Sequence, residues 1–279
     1  MIARYISSLL TFAFSLTIVA TMARAETIPS KYVRQAANAD TVIVFVHGVI
    51  GDAVSTWTAK NGTYWPALLA KDPTFDGADI YVYSYATGYW GSLSIDELAE
   101  NMRADFVANG IAGYKKIIFL SHSMGGLITR AYLLKTKEVA AHTLFAYFYS
   151  TPTTGSQIAS LMKFLSSNPQ FGKMRSLNAE DYLADVLRQW LAARYEFPSY
   201  CAYEKRQTAG FSIVSMASAA ALCTRALDPI DADHIDIVKP ENQNSMSYMV
   251  FKAAYADAKI PDLNSQLNLG VSRRLRSEV

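Results

Sequence analysis

Along this chain, runs of consecutive apolar residues alternate with stretches that are apolar only every third or fourth position. Thr41–Val46 is an unbroken run dominated by β-branched residues, the pattern of a strand covered on both faces. Residues 80–85 and 116–120 repeat that pattern, and Thr143–Tyr149 is a further clear strand. Residues 95–107 have helical spacing instead, with Ile95, Leu98, Met102 and Phe106 on one side and Ser94 placed as N-cap. Residues 127–137, 156–165 and 180–193 also read as helices, and 197–203 and 211–216 as shorter strands. Strands alternating with helices predict an α/β fold built on a doubly wound, mostly parallel sheet. Ligands of such sheets bind at the carboxyl ends of the strands.

One strand end carries a sharp signal. The apolar run 116–120 leads directly into Ser121-His122-Ser123-Met124-Gly125-Gly126 and then into a helix. Small-x-Ser-x-Gly-Gly between strand and helix is the pattern of a nucleophile elbow, a turn so tight that the flanking residues must be small. Ser121 stands where glycine is usual, and it is small enough to fit. The elbow holds the Ser123 hydroxyl above the sheet edge, at the positive end of the next helix.

A serine hydroxyl needs a base to take its proton and an acid to orient that base. The chain has four histidines, so the base follows by elimination. His122 adjoins the serine, where a sharp turn makes neighbouring side chains diverge. His47 belongs to a glycine-bearing loop, and His142 precedes its strand, at the opposite sheet edge. His234 follows the last strand candidate and can share an edge with Ser123. Residues 150–155 contain no carboxylate, so the acid comes later; Glu204, just after 197–203, is preferred, with Asp228 and Asp231 competing. Backbone N–H groups of Met124 and Val49 are the expected oxyanion donors, the latter in the loop Val46-His47-Gly48-Val49-Ile50-Gly51-Asp52.

Composition changes this picture in three ways. Residues 1–25 combine Arg4, an apolar stretch and Ala23-Arg24-Ala25, the pattern of a secretory leader cleaved before Glu26. The expected mature chain is exported to the periplasm or beyond, with no membrane span left. The full chain has 26 Lys and Arg against 24 Asp and Glu, and the leader removes Arg4, Arg24 and no acid. The remainder is formally neutral, which argues against a nucleic-acid partner; Arg273-Arg274-Leu275-Arg276 reads as a solvated tail. In an exported chain the only two cysteines, Cys201 and Cys223, are expected to form a disulfide. Residues 26–279 show no repeat or long linker and are read as one domain.

Several pieces together carry a resemblance. They are Val46–Asp52 as quoted, Trp57, Tyr64-Trp65-Pro66, Tyr81-Val82-Tyr83-Ser84-Tyr85, the elbow, Ser150-Thr151-Pro152, Tyr203-Glu204, and Asp233-His234-Ile235-Asp236-Ile237-Val238-Lys239-Pro240. The chain resembles the α/β-hydrolase superfamily, in particular its serine esterase and lipase group, with GPI inositol-deacylase-like proteins and compact bacterial lipases. The resemblance implies an α/β-hydrolase fold, a triad of Ser123, His234 and Glu204, and oxyanion positions at Val49 and Met124.

The function expected is secreted hydrolysis of a small-molecule or lipid carboxylic ester through an acyl-enzyme. The alternatives are a non-catalytic binding protein on the same fold, or an amide or thioester hydrolase or acyltransferase. No metal-ligand spacing, phosphate loop or dinucleotide fingerprint occurs, so no cofactor is implied. Residues 157–193 are expected to form a small helical cap, with Leu183, Val186, Leu187, Trp190 and Leu191 on one face after an N-cap at Asn178.

Overall fold

The computed structural model describes residues 28–49, 51–86, 93–153, 161, 179–210, 213–221 and 223–259. The expected leader, the helix at 156–165 apart from Leu161, Asn178 and the Arg273–Arg276 cluster therefore lie outside the described residues. The strands are β1 (Lys31–Arg34), β2 (Thr41–Val46), β3 (Ala78–Tyr83), β4 (Lys116–His122), β5 (Thr143–Tyr149), β6 (Ser199–Glu204) and β7 (Leu227–Ile230). The helices are α1 (Trp65–Ala70), α2 (Ile95–Ala108), α3 (Met124–Lys135), α4 (Lys137–Ala141), α5 (Ala179–Ala193), α6 (Met216–Ala220) and α7 (residues 246–259).

All seven strands form one sheet in the order β1-β3-β2-β4-β5-β6-β7, and only β1 runs antiparallel. Parallel neighbours require crossovers, and the helices supply them on both faces. Strand pleating then divides one apolar run between two cores. Val42, Val44 and Val46 face α2, α3 and α5, whereas Ile43 and Phe45 face α1 and α7. Phe45, Trp57, Trp65 and Phe251 pack edge to face on the second side. The chain leaves β2 toward β3 on one side and leaves β4 toward β5 on the other. The two loops part there, opening a crevice at the strands' carboxyl ends.

Local signals placed most elements closely. Ser94 caps α2 in a full capping box with Glu97. Two assignments need correction, and two strands had none. The strand expected at 80–85 starts and ends two residues earlier, at Ala78 and Tyr83. The described part of the strand expected at 211–216 does not supply the last strand: Ile213 and Val214 are buried in a loop, and Met216 begins α6 under a Ser215 cap. That last strand is β7, hidden in the sequence by Asp228 and Pro229. As the outermost strand it has no further partner awaiting the missing proline N–H. The short edge strand β1 had no sequence signal; Arg34 anchors it through the carbonyls of Ala70 and Ala78, each at 2.9 Å.

Cys201 in β6 and Cys223 after α6 have their sulfurs at bonding distance, with Cα atoms 5.8 Å apart. Helix α5 packs against α3, and its Trp190 meets Phe148 of β5 edge on, ring centres 5.9 Å apart. Val186 and Trp190 are buried, while Leu191, expected on the same stripe, is 59% exposed; the side chain of Leu183 lies outside the described residues. This face of α5 is thus core on the flank of the sheet rather than an acyl-binding surface. Trp190→Ala is expected to lower stability by about 3–5 kcal/mol. A melting curve and parallel assays on short and long esters check it: the temperature should drop, with equal losses on both substrates.

Candidate active site

Four loops meet at the crevice. Ser123 follows β4 with φ 52° and ψ −125°, a left-handed conformation rare for a residue with a side chain. Its N–H donates to the Tyr149 carbonyl at 2.9 Å and its carbonyl accepts from Gly126 at 3.0 Å, so both sides of the strained residue are held. Two glycines let the backbones close on it. A Cβ on Gly125 would lie 2.3 Å from the His47 carbonyl oxygen, and one on Gly48 would lie 2.9 Å from the Ser123 Cβ. Ser121, at the place usual for glycine, is fully buried, and its hydroxyl pairs with that of Thr129 at 2.9 Å.

The loop after β7 brings His234 to the serine, with Nε2 2.9 Å from Ser123 Oγ. On its other side His234 Nδ1 stands 3.4 Å from Glu204 Oε1, at the end of β6. That distance exceeds a well-formed hydrogen bond, so the pair is aligned but loose in this state. Glu204 also accepts from the Val214 N–H at 2.7 Å and from the Ser150 hydroxyl. Burial alone would raise its carboxyl, but the His234, Ser150 and Val214 donors outweigh that and hold it below the usual glutamate range. The rival acids are committed elsewhere: Asp228 takes the Tyr147 hydroxyl at 2.5 Å, and Asp231 pairs with Arg206 at 2.6 Å.

Three contacts around these residues escaped the sequence. Ser150, itself at φ 46°, reaches Glu204 from the end of β5. Thr208 accepts the His234 backbone N–H at 2.8 Å. His122 turns toward His234: its Nε2 lies 2.8 Å from the His234 carbonyl oxygen. A carbonyl only accepts, so this nitrogen carries the proton. Burial, reinforced by the neighbouring His234 ring, holds His122 well below the usual histidine range. The only hint in the sequence was the Ser150-Thr151-Pro152 piece.

A cavity of about 110 Å³ opens on Ser123, lined also by Gly48, Val49, Leu161, His234 and Lys239. Leu161 is the one described residue of 157–178, and it reaches this cavity. Val49, in the turn after β2, lines the cavity beside Ser123, and Met124 holds the first position of α3. The first N–H groups of a helix have no partner within it, which suits Met124 to a developing oxyanion. Among the described residues no group of His, Cys, Asp or Glu converges as a metal site.

The alpha/beta hydrolase family model matches residues 43–261. The chain belongs to the alpha/beta hydrolase family. Among curated relatives it is 24% identical to Protein SERAC1 of Bos taurus and of Homo sapiens, over 86% and 80% of this chain. These alignments span only 44% and 40% of the relatives, so the chain covers less than half their length. Solved hydrolase folds align along most of the chain. Phospholipase PlaB from Legionella pneumophila superimposes with a TM-score of 0.61 at 14% identity, over 85% of this chain and 64% of that one. Bacillus licheniformis lipase BlEst2 gives 0.53 at 16% identity, over 81% and 97%.

His47 marks a pH-sensitive point of this hydrolase fold. Its Nδ1 faces the Gly48 carbonyl at 2.8 Å, its Nε2 accepts the Tyr85 N–H at 3.2 Å, and its ring stacks on Tyr85. Protonation would set N–H against N–H, and burial pulls its pKa from 6.5 down to about 4. The unfolded chain therefore takes up a proton first. Stability is full above pH 6.5 and declines as the pH falls toward 4, by on the order of 3 kcal/mol from this group. Melting temperature against pH should show the decline, and His47→Asn should make its slope shallower over that window. An unchanged slope would refute the assignment.

Proposed function

We propose that this chain is an exported serine hydrolase that cleaves carboxylic esters through an acyl-enzyme. The observation that carries the reading is the 2.9 Å contact between His234 Nε2 and the hydroxyl of Ser123, a residue strained to φ 52° at a strand–helix turn. Membership of the alpha/beta hydrolase family supports hydrolytic chemistry. Relatives described as a lipase and a phospholipase accord with an ester, though likeness of fold does not carry an activity across.

In the proposed reaction His234 Nε2 takes the Ser123 proton as Oγ attacks the ester carbonyl carbon. The carbonyl oxygen becomes an oxyanion facing the Val49 and Met124 N–H groups. As the intermediate collapses, the C–O bond to the alcohol breaks and His234 returns its proton to the departing oxygen. Water then attacks the acyl-Ser123 by the same route, releasing the acid and restoring the serine. Glu204 acts throughout by holding the His234 ring and stabilising its positive charge, with Ser150 and Val214 fixing the carboxylate.

Ser123→Ala and His234→Ala are each expected to cost about 10³-fold or more in kcat, because the two act as a unit. Glu204→Gln should cost less, while Asp231→Asn and Asp228→Asn should stay within a few-fold of wild type. Labelling by a fluorophosphonate probe and turnover of p-nitrophenyl butyrate are the measurements. A wild-type chain that does neither sinks the enzyme reading; normal turnover by Glu204→Gln removes Glu204 from the triad.

Export rests on the leader pattern of residues 1–25 and on the Cys201–Cys223 pair. No described helix is long and apolar enough to cross a membrane. Intact mass of the secreted fraction after alkylation without reductant tests both points. The expected species begins at Glu26 and takes up no label; a retained leader or two labelled thiols would contradict the corresponding half.

A further inference from the structure

The cavity beside Ser123 has polar lining residues for which the proposed ester chemistry finds no use. Lys239, at the C-cap of the turn Asp236–Val238, lines the cavity together with Ser55 and Thr56. Among the described residues no carboxylate pairs with the Lys239 ammonium, and two of the acids near it in sequence, Asp233 and Asp236, are engaged elsewhere. Asp236 bridges Lys60 at 2.9 Å, and Asp233 accepts the N–H groups of Ile235 and Asp236 at 2.9 and 2.8 Å. Residues 154–178, which contain Leu161 of the cavity wall, include no Asp or Glu at all.

Thr56 supplies a second, independent sign. It is 6% exposed, and its Oγ1 is buried without a hydrogen-bond partner. A buried hydroxyl left unpaired is unfavourable, and an ammonium lining a largely apolar cavity without a counter-charge attracts one. Val49, Leu161 and Ile235 add apolar wall that suits an acyl or alkyl chain.

We propose that Lys239 and Thr56 form an anion subsite in the Ser123 cavity, selecting esters that carry a carboxylate or phosphate close to the scissile carbonyl. This rests on the hydrolase reading above and narrows its substrate class. Lys239 meets the charge with a charge-assisted hydrogen bond, and the Thr56 hydroxyl donates a second. An ester bearing no charge leaves both groups unpaired in the closed complex, which is how a site built for a polar group rejects an analogue lacking it.

Two matched substrate pairs test the subsite. The monoester of glutarate with p-nitrophenol against p-nitrophenyl pentanoate places the charge on the acyl side. Butyryl-glycerol phosphate against monobutyrin places it on the alcohol side. The quantity read is the ratio of kcat/KM for charged over neutral ester within each protein, so a general loss of activity cancels. Wild type should prefer the charged member in at least one pair, and the pair that responds identifies which side carries the charge. Lys239→Met should lower that ratio about tenfold or more, Lys239→Arg should retain most of it, and Thr56→Val should reduce it less. If Lys239→Met does not fold, raising the ionic strength on the wild-type protein decides the matter, because the ratio must then fall. No preference in either pair, or a preference unchanged in Lys239→Met or by salt, overturns the subsite while leaving the hydrolase reading intact. Failure to turn over any of the four esters would instead overturn the hydrolase reading, and the subsite with it.

Discussion

How closely α3 can approach the turn after β2 governs the whole site. Gly125 lies against the carbonyls of Val46 and His47, and Gly48 lies against Ser123, so the two backbones meet with no side chain between them. That contact puts Ser123 at the crevice where the loops after β2 and β4 part. The strained backbone at Ser123 costs about 1–3 kcal/mol, and it persists because the surroundings over-determine it. A hydrogen bond to the end of β5, the helix that begins at Met124 and the Ser121–Thr129 hydroxyl pair all fix the same turn.

The same crowding forces a buried polar network, which is stable only if its members are paired. Glu204 is the clearest case. A carboxylate at that depth is unfavourable by itself, and donors from β5 and from the loop before α6 keep it ionised beside His234. Thr208 and His122 then hold the His234 backbone from opposite sides, through its N–H and its carbonyl. His234 is thus positioned by its main chain as well as its ring, and its separation from Glu204 is the one loose joint among these contacts. In the same cavity lining the Thr56 hydroxyl is buried without a partner, and among the described residues no carboxylate pairs with Lys239.

Much of this was legible in the chain because it is encoded over short distances. Pleating and helical spacing located β2, β4, β5, α2 and α5; the small residues around Ser123 announced the elbow; and the order of strand ends pointed to His234 and Glu204. All but the last of these depend on residues within a few positions of one another. Other features depend on neighbours far apart in sequence and had no local signature. Pro229 argues against a strand, yet β7 accommodates it because the fold placed that strand at the sheet's edge. Asp228 and Asp231 were as good as Glu204 by proximity to His234, until Tyr147 and Arg206 were found to occupy them. Ser150, Thr208 and the inward turn of His122 likewise exist only as contacts across 54, 26 and 112 residues of chain. Sequence by itself determined the central strands, the helices α2 and α5 and the elbow serine, because propensity and periodicity act locally. Only the tertiary structure decided which polar groups share a buried site, because burial and hydrogen-bond pairing are properties of the packed whole.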